Sequence, residues 1–313
     1  MILRRLDDLQ RRHAALGFPW AVFRKYLDDQ GVREAALITY YGFLSLFPTV
    51  LLGVAIVTQV LSRRPALRQE LIAAIVPPML QPGVESGISE ISSSNVALIA
   101  GVIGLVFSGT GVVSSAYETL NHLAGVPFRE RGVISRYLRV VAGLAVILTG
   151  SVAVGLLTVA VAAVPMLPWL SRAGALLGSC LVAFGVLLLV ARLLLVRRAP
   201  LNGLVPAAAI GAVAVTALLN LGATVLPELV RRAGRVYGAF ATVAGVFTLL
   251  YLLSNVLVLA AEIAVVRHAR LWPRALDPAR PAPADLRAME LLAREQERTP
   301  GDQMIYARRG SSD

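Results

Sequence analysis

The chain predicts an all-α, polytopic integral membrane protein: a bundle of six transmembrane helices with interfacial amphipathic helices beside it. Three observations predict it. Of 313 residues, 57% are hydrophobic and only 16% are charged, against about 45–50% apolar and about 25% charged in soluble domains. Mean hydropathy is +0.70. Six stretches, 35–61, 95–121, 140–165, 174–196, 203–226 and 238–266, each supply the ~20 mostly apolar residues a helix needs to cross a ~30 Å hydrocarbon core. Backbone groups cannot stay unpaired in hydrocarbon, so each run is expected to be helical. The runs are too long and too uniformly apolar for barrel strands, which alternate over about ten residues.

The elements follow in order. Residues 1–34 form a cytoplasmic N-terminal segment with no compact apolar run of the signal-peptide kind. Within it, 14–34 mixes Phe18, Trp20, Phe23 and Tyr26 with Arg24 and Lys25. That suits a helix lying in the headgroup interface. The transmembrane domain is 35–268. Pro48 falls inside its first span and is expected to kink it or free a carbonyl. The longest outer loop, 62–94, holds LRQELIAAIV, too short to span and read as a surface helix ended by Pro77 and Pro78. The stretch PGVESGISEISSSN after it reads as flexible. The tail 269–313 is cytoplasmic; RAMELLAREQER reads as a short helix and the last dozen residues as disordered. No domain boundary is expected outside the membrane.

The net charge of +11 is carried by arginine at the edges of apolar runs, with Lys25 the single lysine. That pattern sets topology. With six spans both tails share a side, and that side carries 23 Lys and Arg against 7 on the other. Counting only the tail residues nearest the spans still leaves 14 against 7. Both termini are therefore expected in the cytoplasm. No basic helix or aromatic-studded sheet suggests a nucleic-acid partner. Membrane lipids are the expected partners, and the oligomeric state is left open. The lone Cys180 excludes an intramolecular disulfide and reads as a small buried hydrophobe. No cofactor and no metal are expected: His13, His122 and His268 lie in separate segments without ligand spacing.

Read at alternating three- and four-residue steps, single helix faces emerge. The second span shows Gly101, Gly104, Ser108, Gly111, Ser115, Glu118 and His122; the sixth shows Tyr237, Ala241, Ala244, Thr248, Tyr251, Asn255, Val258 and Glu262. The fifth shows Thr216, Asn220 and Ala223, the first Tyr41, Ser45 and Pro48. Small residues let helices approach, so the stripes read first as packing seams. GALLG at Gly174–Gly178 is a GxxxG match of the same kind. The ionisable positions read differently, because a charge at the bilayer centre costs about 2.5–3.5 kcal/mol on insertion scales. The candidate polar seam is Tyr41, Ser45, Pro48, Ser115, Glu118, Asn121, Arg192, Asn220, Tyr251, Asn255 and Glu262. Its expected form is a cavity open to the cytoplasm, with Arg192 pairing one glutamate. Structural ion pairing is the alternative reading of the charges.

Three segments carry a family resemblance. TYYGFLSLFP at Thr39–Pro48 resembles the AYYxxLSLFP signature of the YihY/BrkB family of bacterial inner-membrane proteins. SSAYETLNHLAGV at Ser114–Val126 is similar to that family's polar run, Leu-Asn and small turn after the second span. YGAFATVAGVFTLLYLLSNVLVLAAEI at Tyr237–Ile263 resembles its last span. The positions that match are Tyr40, Tyr41, Ser45, Pro48, Asn121, Tyr237, Gly238 and Glu262. The fifth segment departs from the pattern: it has Pro206 but no Pro-Gly pair. The resemblance implies six membrane helices with cytoplasmic termini. It brings no catalytic role, and a ribonuclease label once attached to the family is regarded as misassigned.

Function is therefore weighed on residues. Polar positions facing a bundle interior, with Gly- and Pro-interrupted helices, suit a transporter or flippase-like protein for an envelope lipid or amphiphile. A non-transporting scaffold or envelope-integrity factor is the alternative. A membrane-bound hydrolase or ribonuclease stands behind both, since no catalytic triad, phosphate loop or nucleotide fingerprint is present.

Overall fold

The computed structural model describes residues 7–11, 13–60, 95–163, 168–197, 199–277 and 280–299. Among them every regular element is helical. In chain order these are α1 (Ala14–Asp28), α2 (Gly31–Val60), α3 (Asn95–Leu123), a 3-10 turn at Phe128–Glu130, α4 (Val133–Ala163), α5 (Pro168–Leu194), α6 (Leu201–Tyr237), α7 (Ala239–His268) and α8 (Pro283–Glu295). The expected surface helix and flexible stretch of 62–94, and the expected disorder of the last dozen residues, lie outside the described residues.

Six of these helices are long and apolar enough to cross a membrane, over Gly31–Leu52, Ile99–Leu123, Val133–Leu157, Ala173–Leu194, Leu201–Gly234 and Ala239–His268. Their large side chains point outward as well as inward: Phe107 is 82% and Leu181 71% exposed. In water such a surface would drive aggregation, whereas hydrocarbon solvates it, so oil is the solvent this sequence is built for.

Helix bounds differ from the apolar runs at both kinds of edge. The segment 227–237, expected as a connection, continues α6. The apolar run stops where Glu228, Arg231 and Arg232 begin, but Glu228 pairs with both arginines, at three- and four-residue spacing, and the helix carries on. Likewise α4 starts at Val133, ahead of the apolar run at 140, because Arg136 and Arg139 find partners there. The helical conformation persists through Pro48 in α2.

Packing divides the chain into two units, neither of them a continuous piece of sequence. The second, Leu37–Val112 with Leu221–Leu250, is a set of close helix contacts. A Cβ on Gly101 would sit 3.1 Å from the Leu52 backbone, one on Gly104 2.9 Å from the Pro48 ring, and one on Gly111 2.5 Å from the Tyr41 ring. The glycine stripe on α3 is thus the seam against α2. Gly222 receives Leu249 and Gly245 receives Leu226, which joins α6 to α7 in the same way. Gly238 breaks the two helices apart with φ +56°, a backbone state that costs an L-residue about 1–2 kcal/mol.

The first unit, Met1–Ala36, Val113–Asn220 and Tyr251–Asp313, contains both ends of the chain. One apolar core joins α3, α4 and α5 through Val113, Tyr117, Val140 and Leu194. A second joins α1, α7 and α8 through Ala21, Val22, Val266, Leu271 and Ala288, with Phe18 edge-on to Trp272 at 5.4 Å. Gly178 of the GALLG match receives Leu157, while Gly174 meets nothing. Of the helix expected over 14–34, α1 covers Ala14–Asp28, with Phe23, Arg24 and Leu27 exposed. Lys25 and Tyr26 are a correction: both are buried in protein.

Candidate functional site

The first unit gathers its charges where the helix ends converge. The route begins at the end of α1, where Lys25 and the C-cap residue Asp29 stand one helical turn apart, so their side chains meet. Lys25 is buried. Its ammonium bonds the Asp29 carboxylate, donates to the Leu123 carbonyl at 3.0 Å, and lies 3.4 Å from Glu262 Oε2. The Leu123 carbonyl is available because α3 ends there, leaving its last carbonyls without helical partners. Gly125, at φ +59°, turns the chain away, and Leu291 of α8 rests on it.

Glu262 is fully buried in α7. Neither of its carboxylate oxygens accepts a hydrogen bond of good geometry among the described residues. Lys25 is the only cation there within ion-pair distance of it. Burial pulls the Lys25 pKa down, but the charges of Glu262 and Asp29 outweigh it and hold the pKa above the ordinary lysine value. Burial pushes the Asp29 carboxyl up, with Lys25 only partly offsetting it.

His122 extends the cluster toward solvent. Its Nδ1 faces Glu295 Oε2 at 2.7 Å and its Nε2 faces the Asp29 carbonyl at 3.2 Å. Both contacts are satisfied only when both ring nitrogens carry protons. Arg131, buried in the turn after α3, then bridges two acids: Glu295 at 2.7 Å and Glu118 at 3.1 Å. Glu118 is 39% exposed and also pairs with Arg136 at 2.9 Å. Beside this lies Glu34, buried and accepting from the Thr119 hydroxyl at 2.7 Å.

A clasp ties α1 and the residues before it to the start of α8 and the residues before that. Buried Arg274 donates to Asp285 at 2.5 Å and to Asp28 at 2.7 Å. Asp285 also accepts from the Ala282 amide at 2.7 Å, which caps α8 where Pro283 begins it. Asp7 accepts from the Leu276 amide at 2.9 Å and pairs with Arg11 at 2.8 Å.

The sequence-predicted seam residues fall in different places. Glu118 and Glu262 belong to the cluster. Asn255 accepts a hydrogen bond from the Tyr26 hydroxyl and donates to the Tyr251 carbonyl at 2.7 Å, which brings Tyr251, Asn255 and α1 together. Asn121 is fully buried, and its amide serves backbone: it donates to Tyr117 and Leu194 and accepts from Val196. Ser115 is half-buried and Asn220 exposed, donating to the Thr216 carbonyl at 2.8 Å. Tyr41, Ser45 and Pro48 belong to the second unit, where Ser45 donates to the Gly42 carbonyl at 2.7 Å. The expected ion pair between Arg192 and a glutamate is absent among the described residues. Arg192 is exposed, while Arg131 and Lys25 already occupy Glu118 and Glu262. Arg131 wins by proximity, being carried back over α3 by the short turn.

Sequence reasoning did not single out Lys25, Asp29, Arg131, Glu295 or Arg274 as site residues. One signal pointed to the first: a lone lysine in a chain that otherwise uses arginine. An ammonium concentrates its charge on one atom and directs its three donors around it, whereas a guanidinium spreads its charge and donates only within its plane. Lys25 donates to Asp29 and to the Leu123 carbonyl and stands at ion-pair distance from Glu262.

Comparison with known proteins adds the family. No curated protein and no solved structure matches the chain. The family described as Virulence factor BrkB matches residues 22–285, from α1 to the start of α8. That stretch includes Lys25, Asp29, Glu118, His122, Arg131 and Glu262, and stops short of Glu295. The chain is a membrane protein of the BrkB family.

Proposed function

We propose that the chain is a transporter or flippase-like protein of the bacterial inner membrane, acting on an envelope lipid or amphiphile through a polar cavity open to the cytoplasm, with both termini on the cytoplasmic side. The observation that carries this reading is the fully buried Glu262, inside a membrane-crossing helix, paired with a buried lysine from outside the spans. Ionisable groups within membrane helices are expensive, and where they are kept they mark pathways and relays. The chain ends lie with the arginine-rich segments, which supports the orientation. Ser115, Glu118, Tyr251, Asn255 and Glu262 are the polar side chains of the first unit assigned to the cavity.

Reconstitution tests this. The protein in liposomes is expected to move a labelled anionic or zwitterionic lipid between leaflets, and Glu262→Gln to abolish that movement while the variant stays folded. No flux of any lipid offered would leave a scaffold in its place. Orientation is read separately: in a Cys180→Ala background, a thiol at position 118 is expected to label from the cytoplasmic side.

A further inference from the structure

We propose that the Asp29 and Glu262 carboxyls, converging on the single ammonium of Lys25, form a binding site for one exchangeable proton. The argument is one of charge and geometry. Two buried acids face one buried base. A carboxylate without hydrogen bonds in a dry site is severely penalised unless fully paired, and Lys25 is shared. Asp29 holds the closer contact with the ammonium, leaving Glu262 at 3.4 Å with both oxygens free of good hydrogen bonds. A proton from water adding to a carboxylate oxygen converts this excess negative charge to a neutral cluster, and its departure to water restores the charge. A metal cation fits poorly, because the ammonium stands where the cation would go.

Among the described residues only Lys25 lies within ion-pair distance of Glu262, and His122, whose charge also favours the Asp29 carboxylate, is ion-paired to Glu295. From α1, Tyr26 turns its hydroxyl to Asn255, and Asp28 is held by Arg24 and Arg274. From α3, His122 spends its ring on Glu295 and on the backbone of Asp29. From α7, Tyr251 presents its carbonyl to Asn255. Arg131 is engaged by Glu295 and Glu118. Burial raises the Asp29 carboxyl, in keeping with a proton shared across the pair. His122 is partly exposed and touches the Asp29 carbonyl, which puts a titratable group between the pair and solvent.

That the proton is the coupling ion of transport rests on the function proposed above; the binding itself does not. The test is an infrared titration of the full-length protein in nanodiscs, following the C=O stretch of protonated carboxyls over roughly pH 5–9, the range into which burial moves such groups. The expected result is a band that is present at the acid end, fades on alkalisation, is lost in Glu262→Gln or shifted in Asp29→Asn, and moves its midpoint in Lys25→Arg. A band constant across the range, or unchanged in both carboxyl variants, overturns the site. Should Glu262→Gln fail to fold, Glu262→Asp is expected to keep the band at a shifted frequency, and an unshifted band overturns the site equally. A titrating band with no lipid flux keeps the proton site and removes the transport reading. Flux with no titrating band does the reverse.

Discussion

Asn121 ties the end of α3 to the end of α5 through Leu194: its Nδ2 donates to the Leu194 carbonyl at 2.9 Å, and its Oδ1 accepts the Val196 amide at 2.9 Å. Both backbone groups sit where α5 has run out of helical partners. Asn121→Leu fills the same space and abandons both, at a cost of about 1–3 kcal/mol for each buried group left unpaired. Thermal unfolding in detergent checks this. Ser151→Ala, which removes a bond within one exposed helix turn, is expected to stay within about 0.5 kcal/mol of the parent.

Arg131 and Arg136 both pair with Glu118 and are not equivalent. Arg131 is buried and also carries the buried Glu295. Arg131→Met leaves that acid with His122 as its remaining partner and is expected to cost about 1.5–3 kcal/mol, the worth of a hydrogen bond to a charged group. Arg136→Met breaks a solvated pair and costs about 0–1 kcal/mol. Denaturant or thermal melts of the two variants side by side would refute this ordering if Arg136→Met proved the worse.

Stability is expected to fall on acidification, and Glu295 is one cause. Burial opposes its charge, but the hydrogen bond and charge of His122, with Arg131, hold its carboxyl below the ordinary range. A lowered carboxyl stabilises the fold above its unfolded pKa of about 4.3 and loses that contribution as pH drops through the folded value. Asp7, held low against burial by the Leu276 amide and Arg11, acts in the same direction. Asp29 acts oppositely: raised by burial, it favours the fold at low pH and loses that contribution as pH rises through its folded pKa. Melting temperature against pH is therefore expected to show an acid limb that flattens in Glu295→Gln and steepens in Asp29→Asn.

The two glycines of GALLG should separate by packing. A leucine at Gly178 meets Leu157 and is expected to cost about 1–3 kcal/mol by overpacking. A leucine at Gly174 meets open space and is expected to leave the melting temperature nearly unchanged. Equal losses at both positions would place a contact at Gly174 that is absent among the described residues.

Much of the fold was legible because the bilayer demands it: six apolar runs gave six membrane-crossing helices. The ends of those helices were not legible, since falling hydropathy marks the edge of the oil, while Glu228, Arg231 and Arg232 continue the helix in water. Glu118 and Glu262 stood out in the sequence because a charge in an apolar run is anomalous. Their partners did not. Lys25, Arg131 and Glu295 look like ordinary surface charges until the turn at Gly125 and the docking of α8 bring them together. Asn121 was visible as a polar residue, but its use as a backbone clip depends on where α5 ends.

The clasp formed by Arg274, Asp28 and Asp285 has a consequence for birth order. Ribosomes deliver α1 first and α8 last, so nascent Asp28 must wait beside the bilayer until nearly all the polypeptide has been threaded. Every partial product lacks its latch.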